Sequence, residues 1–330
     1  SPRFESERAH QTRKIMYNLG YACINMGLSN LPKSERITTN RTMIRRTFLD
    51  RGLPYVSELA LKNCLDLERI IQWNEDNDIK FYRVSSAILP WYSEYNLEEL
   101  PDFYAIAASL KRAGALAQLY GQRITTHPGP FNKLTSPRPH VVVNTITDLE
   151  NHGRIFDFMG LPRSPYAKIN IHVGAHYNDK QMAIGNFCRN FERLSESVRS
   201  RLTVENDDKA SLYSTKELYD EIYSRIGIPI VFDYHHHKFC TGDQDEEEAL
   251  LTACMTWGDI RPVVHYSQSR SIEHNDPKIR GNAHSDSYWT PINLYNLDLD
   301  VMLECKYKEL GLMKMKQLME KQNERLCKAA

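Results

Sequence analysis

The chain has 330 residues, with 42 Lys and Arg against 42 Asp and Glu, so there is no global excess of charge of the kind that holds nucleic acid or a membrane surface. No apolar run is long enough to cross a bilayer and no secretory leader is legible, so the expectation is a soluble intracellular protein, nuclear in a eukaryote and cytoplasmic otherwise. Seven cysteines, scattered and never in Cys-x-x-Cys spacing, argue against a disulfide framework or a zinc ribbon.

In chain order, residues 1–14 are a polar extension, followed by one domain over 15–310 and a helical tail over 311–330. Eight short aliphatic or β-branched runs read as buried strands: Asn18 to Cys23, Phe81 to Val84, Arg123 to His127, Lys168 to His172, Leu202 to Glu205, Pro229 to Asp233, Pro262 to Tyr266 and Asp300 to Glu304. Between them helical periodicity is expected over Ser57 to Asn74, Leu97 to Leu119, Val141 to Met159, Thr215 to Arg225 and Glu246 to Trp257, with Gly121, Gly160 and Gly227 at helix stops. The tail is expected to be helical from Lys306 and to fray over Lys316 to Lys328, where little is left to bury.

Strands alternating with helices give either a closed barrel or a doubly wound open sheet. No G-x-G-x-x-G follows a strand, and ligand-type residues end six of the eight runs: His127, His172, Glu205, Asp233, His265 and Glu304. An open sheet would confine such residues to one switch point, whereas a barrel turns every strand end toward one axis. The fold class expected is therefore α/β, a single-domain (β/α)₈ TIM barrel with its site at the C-terminal strand ends.

His and carboxylate ligands without thiolate suit Zn²⁺, Mn²⁺ or Fe²⁺. His127, His172 and Glu205 make a His, His, carboxylate shell, and Glu205 can bridge to a second ion. Asp233 and His236, three residues apart on a tight turn, can serve neighbouring ions, and His284 lies in the loop after the seventh strand. His10, His140, His152 and His274 read as surface or structural residues, while His176, His235 and His237 stay open between site and loop roles. Several ions bridged by carboxylates are a usual device for phosphodiester hydrolysis. Although the total charge is zero, Leu31 to Arg51 is locally basic, with Lys133, Arg138, Arg270, Lys278 and Arg280 on other strand-end loops, a distribution that can grip a phosphate backbone.

Taken in order, Leu19-Gly20-Tyr21-Ala22-Cys23-Ile24-Asn25, Tyr82-Arg83-Val84-Ser85-Ser86, Gly121-Gln122-Arg123, Thr126-His127-Pro128-Gly129, Glu205-Asn206-Asp207, Asp233 with His236, His265-Tyr266-Ser267 and Glu304-Cys305-Lys306 resemble the UV damage endonuclease family, a branch of the endonuclease IV-like barrels. The resemblance implies a barrel holding two or three divalent ions, most often Mn²⁺ with Zn²⁺, Mg²⁺ or Co²⁺ as alternatives. It implies a monomer that cuts double-stranded DNA immediately 5′ of a UV photoproduct, leaving a 3′-hydroxyl and a 5′-phosphate. By position, His127, His172 and Glu205 would hold the first ion, Glu205, Asp233, His265 and Glu304 the second, and His236 and His284 the third. Glu205, His127, Asp233 and Glu304 are the expected catalytic set, and Tyr21, Asn25, Arg83, Glu94, Pro130, Phe131 and Lys306 the expected DNA and lesion contacts.

Three positions depart from the family pattern. Pro130-Phe131 replaces the Gln-Tyr wedge, Val263 replaces a modified lysine two residues before the seventh-strand histidine, and Glu94 stands where a histidine is expected near the scissile phosphate. These departures leave open a lesion-binding protein with reduced or lost catalysis, and the same ligand types leave open a metal-dependent sugar isomerase-like barrel.

Overall fold

The computed structural model describes residues 16–329, so the expected N-terminal extension and His10 lie outside the described residues. Eight parallel strands, β1 (Tyr17–Ala22), β2 (Phe81–Val84), β3 (Arg123–Thr126), β4 (Ile169–His172), β5 (Leu202–Glu205), β6 (Ile230–Asp233), β7 (Val263–Tyr266) and β8 (Leu299–Leu303), pair in sequence order, and β8 closes back on β1. The TIM barrel expected from the strand ends is the fold observed. His127 and Glu304 stand one residue beyond β3 and β8.

A strand's side chains alternate between its two faces, and in a closed barrel one face is the interior. Register places His172 beside Glu205 and Asp233 beside His265, so one turn of the barrel carries the ligand types. Counting back in twos from that layer leads through Asn170 and Lys168 on β4, Thr125 and Arg123 on β3, and Met302 and Asp300 on β8, all of them buried. Ala22, Phe81, Val231, Val263 and Met302 pack together with Trp257. Below them the fully buried Arg123 guanidinium bonds Asp300 Oδ2 at 2.9 Å and the carbonyls of Arg261, Tyr166 and Pro165, closing the floor.

The helices differ from expectation where glycine or proline acts. The helix expected from Ser57 runs over Arg45–Asp76, interrupted at Gly52, whose φ of 60° and ψ of −161° are not helical. Pro54 then sits in the first turn after the break, where its missing N–H costs nothing. The basic segment expected as a loop therefore ends in helix. Residues 97–119 split into a 3₁₀ turn, Leu97–Glu99, and a helix, Phe103–Leu119, with Pro101 between them. Thr215 to Arg225 contains a π turn at Tyr219–Tyr223. The crossover after β4 carries a helix that the periodicity did not indicate, Lys180–Phe191, capped by Asp179. Gly121, Gly160 and Gly227 take positive φ at their helix stops as expected.

The tail does not fray at Lys316: the helix Lys308–Ala329 is continuous. Leu312, Met315 and Met319 form a buried stripe, and Lys316 Nζ donates to the Asn77 and Asp78 carbonyls at 3.1 and 2.7 Å, at the end of the Arg45–Asp76 helix. Among the described residues no helix is long and apolar enough to cross a membrane.

Candidate metal centre and DNA-facing cavities

At the C-terminal ends of β3 to β8 the polar residues converge in three overlapping groups whose candidate ligand atoms lie within 4.8 Å of one another: His127, His172 and Glu205; Glu205, Asp233 and His236; Asp233, His265 and Glu304. Glu205 is the hub and is 1% exposed. Its carboxylate stands 3.4 Å from His127 Nε2, 4.0 Å from His172 Nε2, 3.3 Å from His236 Nδ1 and 3.0 Å from His265 Nδ1. Seven of the eight expected ligands thus fall into these groups. His284 does not; its Nδ1 lies 2.8 Å from Ser267 Oγ and its ring 6.0 Å from that of His236, on the wall of the same cavity. His236 groups with Glu205 and Asp233, although the resemblance paired it with His284.

The residues fit a cluster of divalent ions. His265 Nδ1 lies 3.0 Å from Glu205 and 3.2 Å from Glu304 yet makes no hydrogen bond, and Asp233 Oδ2 is buried without a partner. An unsatisfied buried polar atom costs about 1–3 kcal/mol, so atoms converging in this way are held for an occupant. All the donors are nitrogen or oxygen, the set preferred by Mn²⁺, Zn²⁺ and similar ions.

The protonation states follow the same geometry. Burial alone would raise the Glu205 pKa, but the fields of His265 and His172 outweigh it and hold the carboxyl well below its usual range. For Glu304, Arg83 and His265 do the same. Burial pushes Asp233 up to about 6 and His265 down to about 4. His172 is raised, because Glu205 and Asp207 together override its burial.

Supporting residues that sequence reasoning missed surround this layer. Asp207 Oδ1 is ion-paired with His172 Nδ1 at 3.1 Å, leaving Nε2 toward Glu205 and an ion. The Asn206 carboxamide brackets the Asp233 backbone, and the Asn206 backbone carbonyl lies 3.0 Å from His236 Nδ1. Asn170 Nδ2 donates to Glu205. The fully buried Lys168 puts Nζ 3.1 Å from His265 Nε2, bringing from β4 an amine to the histidine whose own strand carries Val263; burial drives its pKa well below the usual lysine range. The period-two spacing of Lys168, Asn170 and His172 was a legible signal for two of these.

The expected DNA contacts divide. Pro130 lines a cavity of about 590 Å³ that also contains His127, His172, Glu205, His236, His284 and Glu304. Phe131, 88% exposed, and Glu94 border a second cavity of about 720 Å³ beside it. Lys306 is half exposed and 3.4 Å from Asp286. Arg83 points inward and is ion-paired with Glu304, so it positions a ligand. Tyr21 is fully buried: Gly20 and Ala22 take the interior positions of β1, so Tyr21 faces outward, donating to Asn74 Oδ1 at 2.8 Å and accepting from Asn25 Nδ2 at 3.3 Å. Asn25 Oδ1 in turn caps the following helix through Leu28 N. Both residues are buried packing elements in this structure.

Among the remaining histidines, His152 is buried against Thr126 and His237 packs on Phe232. His235 is buried beside His284 and Phe239 with neither ring nitrogen bonded, and His176 Nδ1 accepts from Asn178 N. His274 sits with Glu273 and Asp286, whose charge Arg270 and Lys306 already neutralise.

The family described as UV-endonuclease UvdE matches residues 17–330. A UV DNA damage endonuclease of Bacillus cereus strain G9842 is 36% identical over 311 residues, covering 91% of this chain and 94% of that protein. The UV-damage endonuclease of Schizosaccharomyces pombe is 33% identical over 318 residues, covering 92% of this chain and 51% of the relative, so the chain spans about half the length of the yeast protein. The crystal structure of SacUVDE superposes with a TM-score of 0.79 at 28% identity, covering 93% of this chain and 99% of that one. A D-tagatose 3-epimerase-like protein, at a TM-score of 0.54 and 11% identity, shares the fold alone. With the matched region running from β1 to the C-terminal helix, the chain belongs to the UV-endonuclease UvdE family.

Proposed function

We propose that this chain is a metal-dependent DNA repair endonuclease that hydrolyses the phosphodiester immediately 5′ of UV photoproducts, cyclobutane dimers and 6-4 products, to leave a 3′-hydroxyl and a 5′-phosphate, with abasic sites as a further candidate substrate. Membership of the family makes it an endonuclease acting on DNA. The observation that carries the finer reading is the hub of Glu205, with three overlapping ligand groups around it at the open mouth of the barrel.

Divalent ions bound there would supply Lewis acidity toward water and phosphate oxygen, and Mn²⁺ is the ion we favour. His127, His172 and Glu205 would hold one, and Asp233, His265 and Glu304 another, with His236 and His284 lining the space beside them. Arg83 fixes Glu304, Asp207 fixes the His172 tautomer, and Asn206 fixes the turn carrying Asp233 and His236. Phe131, exposed on the rim, would insert beside an unstacked base, and a damaged dinucleotide costs less to unstack than an intact one. Glu94, beside the second cavity and outside the ligand groups, would keep phosphate away from that stretch of rim.

The test is incubation with Mn²⁺ and an end-labelled duplex bearing one cyclobutane dimer. A nick 5′ of the dimer supports the reading; intact DNA in the presence of metal-loaded protein overturns it.

A further inference from the structure

Lys133 stands between the two cavities and lines both. Its side chain lies across Gly174, just after β4: a Cβ built on that glycine would come within 2.5 Å of Lys133 Nζ and 2.7 Å of its Cδ. Gly174 has a φ of 91°, which admits glycine readily and a side chain at a cost. The loop around Lys133 is pinned: Lys133 N donates to Thr145 Oγ1 at 2.9 Å, Asn132 Nδ2 to Asp148 Oδ2 at 2.7 Å, and Asn190 Nδ2 to the Leu134 carbonyl at 2.8 Å. The ammonium at its end is half-buried, yet among the described residues no carboxylate or carbonyl forms an ion pair or hydrogen bond with it. Asp207, the carboxylate whose charge acts on it, is ion-paired with His172 Nδ1 and accepts from the Tyr213 backbone. A fixed, half-desolvated cation with an open donor face is a group arranged for an incoming anion.

We propose that Lys133 contacts the substrate directly, its ammonium binding the phosphodiester group that passes between the metal-ligand cluster and the second cavity, with Gly174 as the seat of its side chain. The inference rests on the endonuclease reading, since that supplies the phosphodiester. No bond to Lys133 forms or breaks; the residue fixes where the strand lies relative to Glu205. Burial, aided by the Lys209 charge, pulls its pKa down while Asp207 opposes, and a bound phosphate would oppose it further.

The experiment compares wild type, Lys133→Met, Lys133→Arg and Gly174→Ala on a duplex with one cyclobutane dimer in Mn²⁺, measuring single-turnover cutting, DNA affinity against salt, bound metal and melting temperature. Lys133→Met is expected to cut about 10²-fold more slowly with its metal content intact, as loss of substrate positioning would give, and its log affinity against log salt should flatten by about one unit, as loss of one phosphate contact requires. Lys133→Arg should recover most of the affinity. Gly174→Ala should slow cutting in the wild-type background and add little in Lys133→Met. Cutting and a salt slope equal to wild type in Lys133→Met overturn the proposal, as does a loss of cutting that follows lost metal or a lowered melting temperature. Failure of the wild-type protein to nick the duplex would instead refute the endonuclease reading.

Discussion

At the N-terminal end of the barrel the Arg123 guanidinium is closed on every side, by Asp300 at 2.9 Å and by the carbonyls of Arg261, Tyr166 and Pro165. At the C-terminal end Asp233 Oδ2 and His265 Nδ1 are as deeply buried and have no hydrogen-bond partner. Both ends place charge in low dielectric, where a group must be paired or be costly. The floor resolves this within the protein and contributes to holding the barrel together; the mouth leaves it to whatever enters. Groups at strand ends face solvent and loops, whereas those at the floor face fixed backbone, so only the mouth can exchange partners.

Removing the hub of the mouth should give the largest effect on activity and little on folding. Glu205→Ala is expected to abolish incision of a dimer-bearing duplex while DNA binding, read by gel shift, persists; near-normal turnover would refute its place at the centre. The floor should show the reverse. Arg123→Met leaves the buried Asp300 with only Arg261 at 3.4 Å and the Asn18 amide at 2.8 Å, and chemical denaturation should register about 3 kcal/mol of lost stability. Adding Asp300→Leu should recover much of it, and a single mutant as stable as wild type would dissolve the contrast between the two ends.

Asp207→Asn tests how far support around the mouth matters. It keeps the shape but weakens the hold on His172 Nδ1, and isothermal titration should show metal affinity reduced by about 10–100-fold. An unchanged affinity would mean that His172 is oriented by packing alone. Phe131→Ala, at an 88% exposed position, should leave stability within about 0.5 kcal/mol, while the ratio of damaged to undamaged cutting falls; an unchanged ratio would remove Phe131 from lesion recognition.

The smallest effect belongs to a pair near the floor. Burial would raise the Asp157 carboxyl, but hydrogen bonds from Arg163 and Arg201 outweigh it and hold the pKa below its ordinary 3.8. A folded-state value below the unfolded one stabilises at pH above 3.8, and that stabilisation fades as pH falls through the lower folded value. Asp157→Asn should lower the melting temperature by about 1–2 °C at pH 7, with the difference from wild type vanishing in acid.

The barrel was legible because a buried parallel strand is a short aliphatic run, and six such runs ended in His, Asp or Glu. Ile171-His172 and Val204-Glu205 each announce a strand and its polar end in adjacent residues. Helix boundaries were less legible. The helix expected from Ser57 extends back past Pro54 and resumes on the far side of Gly52, because packing of Val56, Leu59 and Ala60 against the core outweighs local propensity. The C-terminal helix was cut short for the converse reason: Met319 has something to bury against only once the barrel is assembled.

By itself the sequence determined which residue types stand at the strand ends, since a short aliphatic run closed by His, Asp or Glu and a period of two settle which side chains share the barrel interior. Only the tertiary structure decided the partners across that interior. Lys168 meets His265 and Arg83 meets Glu304 from strands far apart in the chain, and Tyr21 faces out to Asn74 because its neighbours take the inside. Lys133 comes to rest over Gly174, between two cavities, because separate loops meet there. Such contacts depend on closure of the barrel, a long-range event that no local pattern encodes.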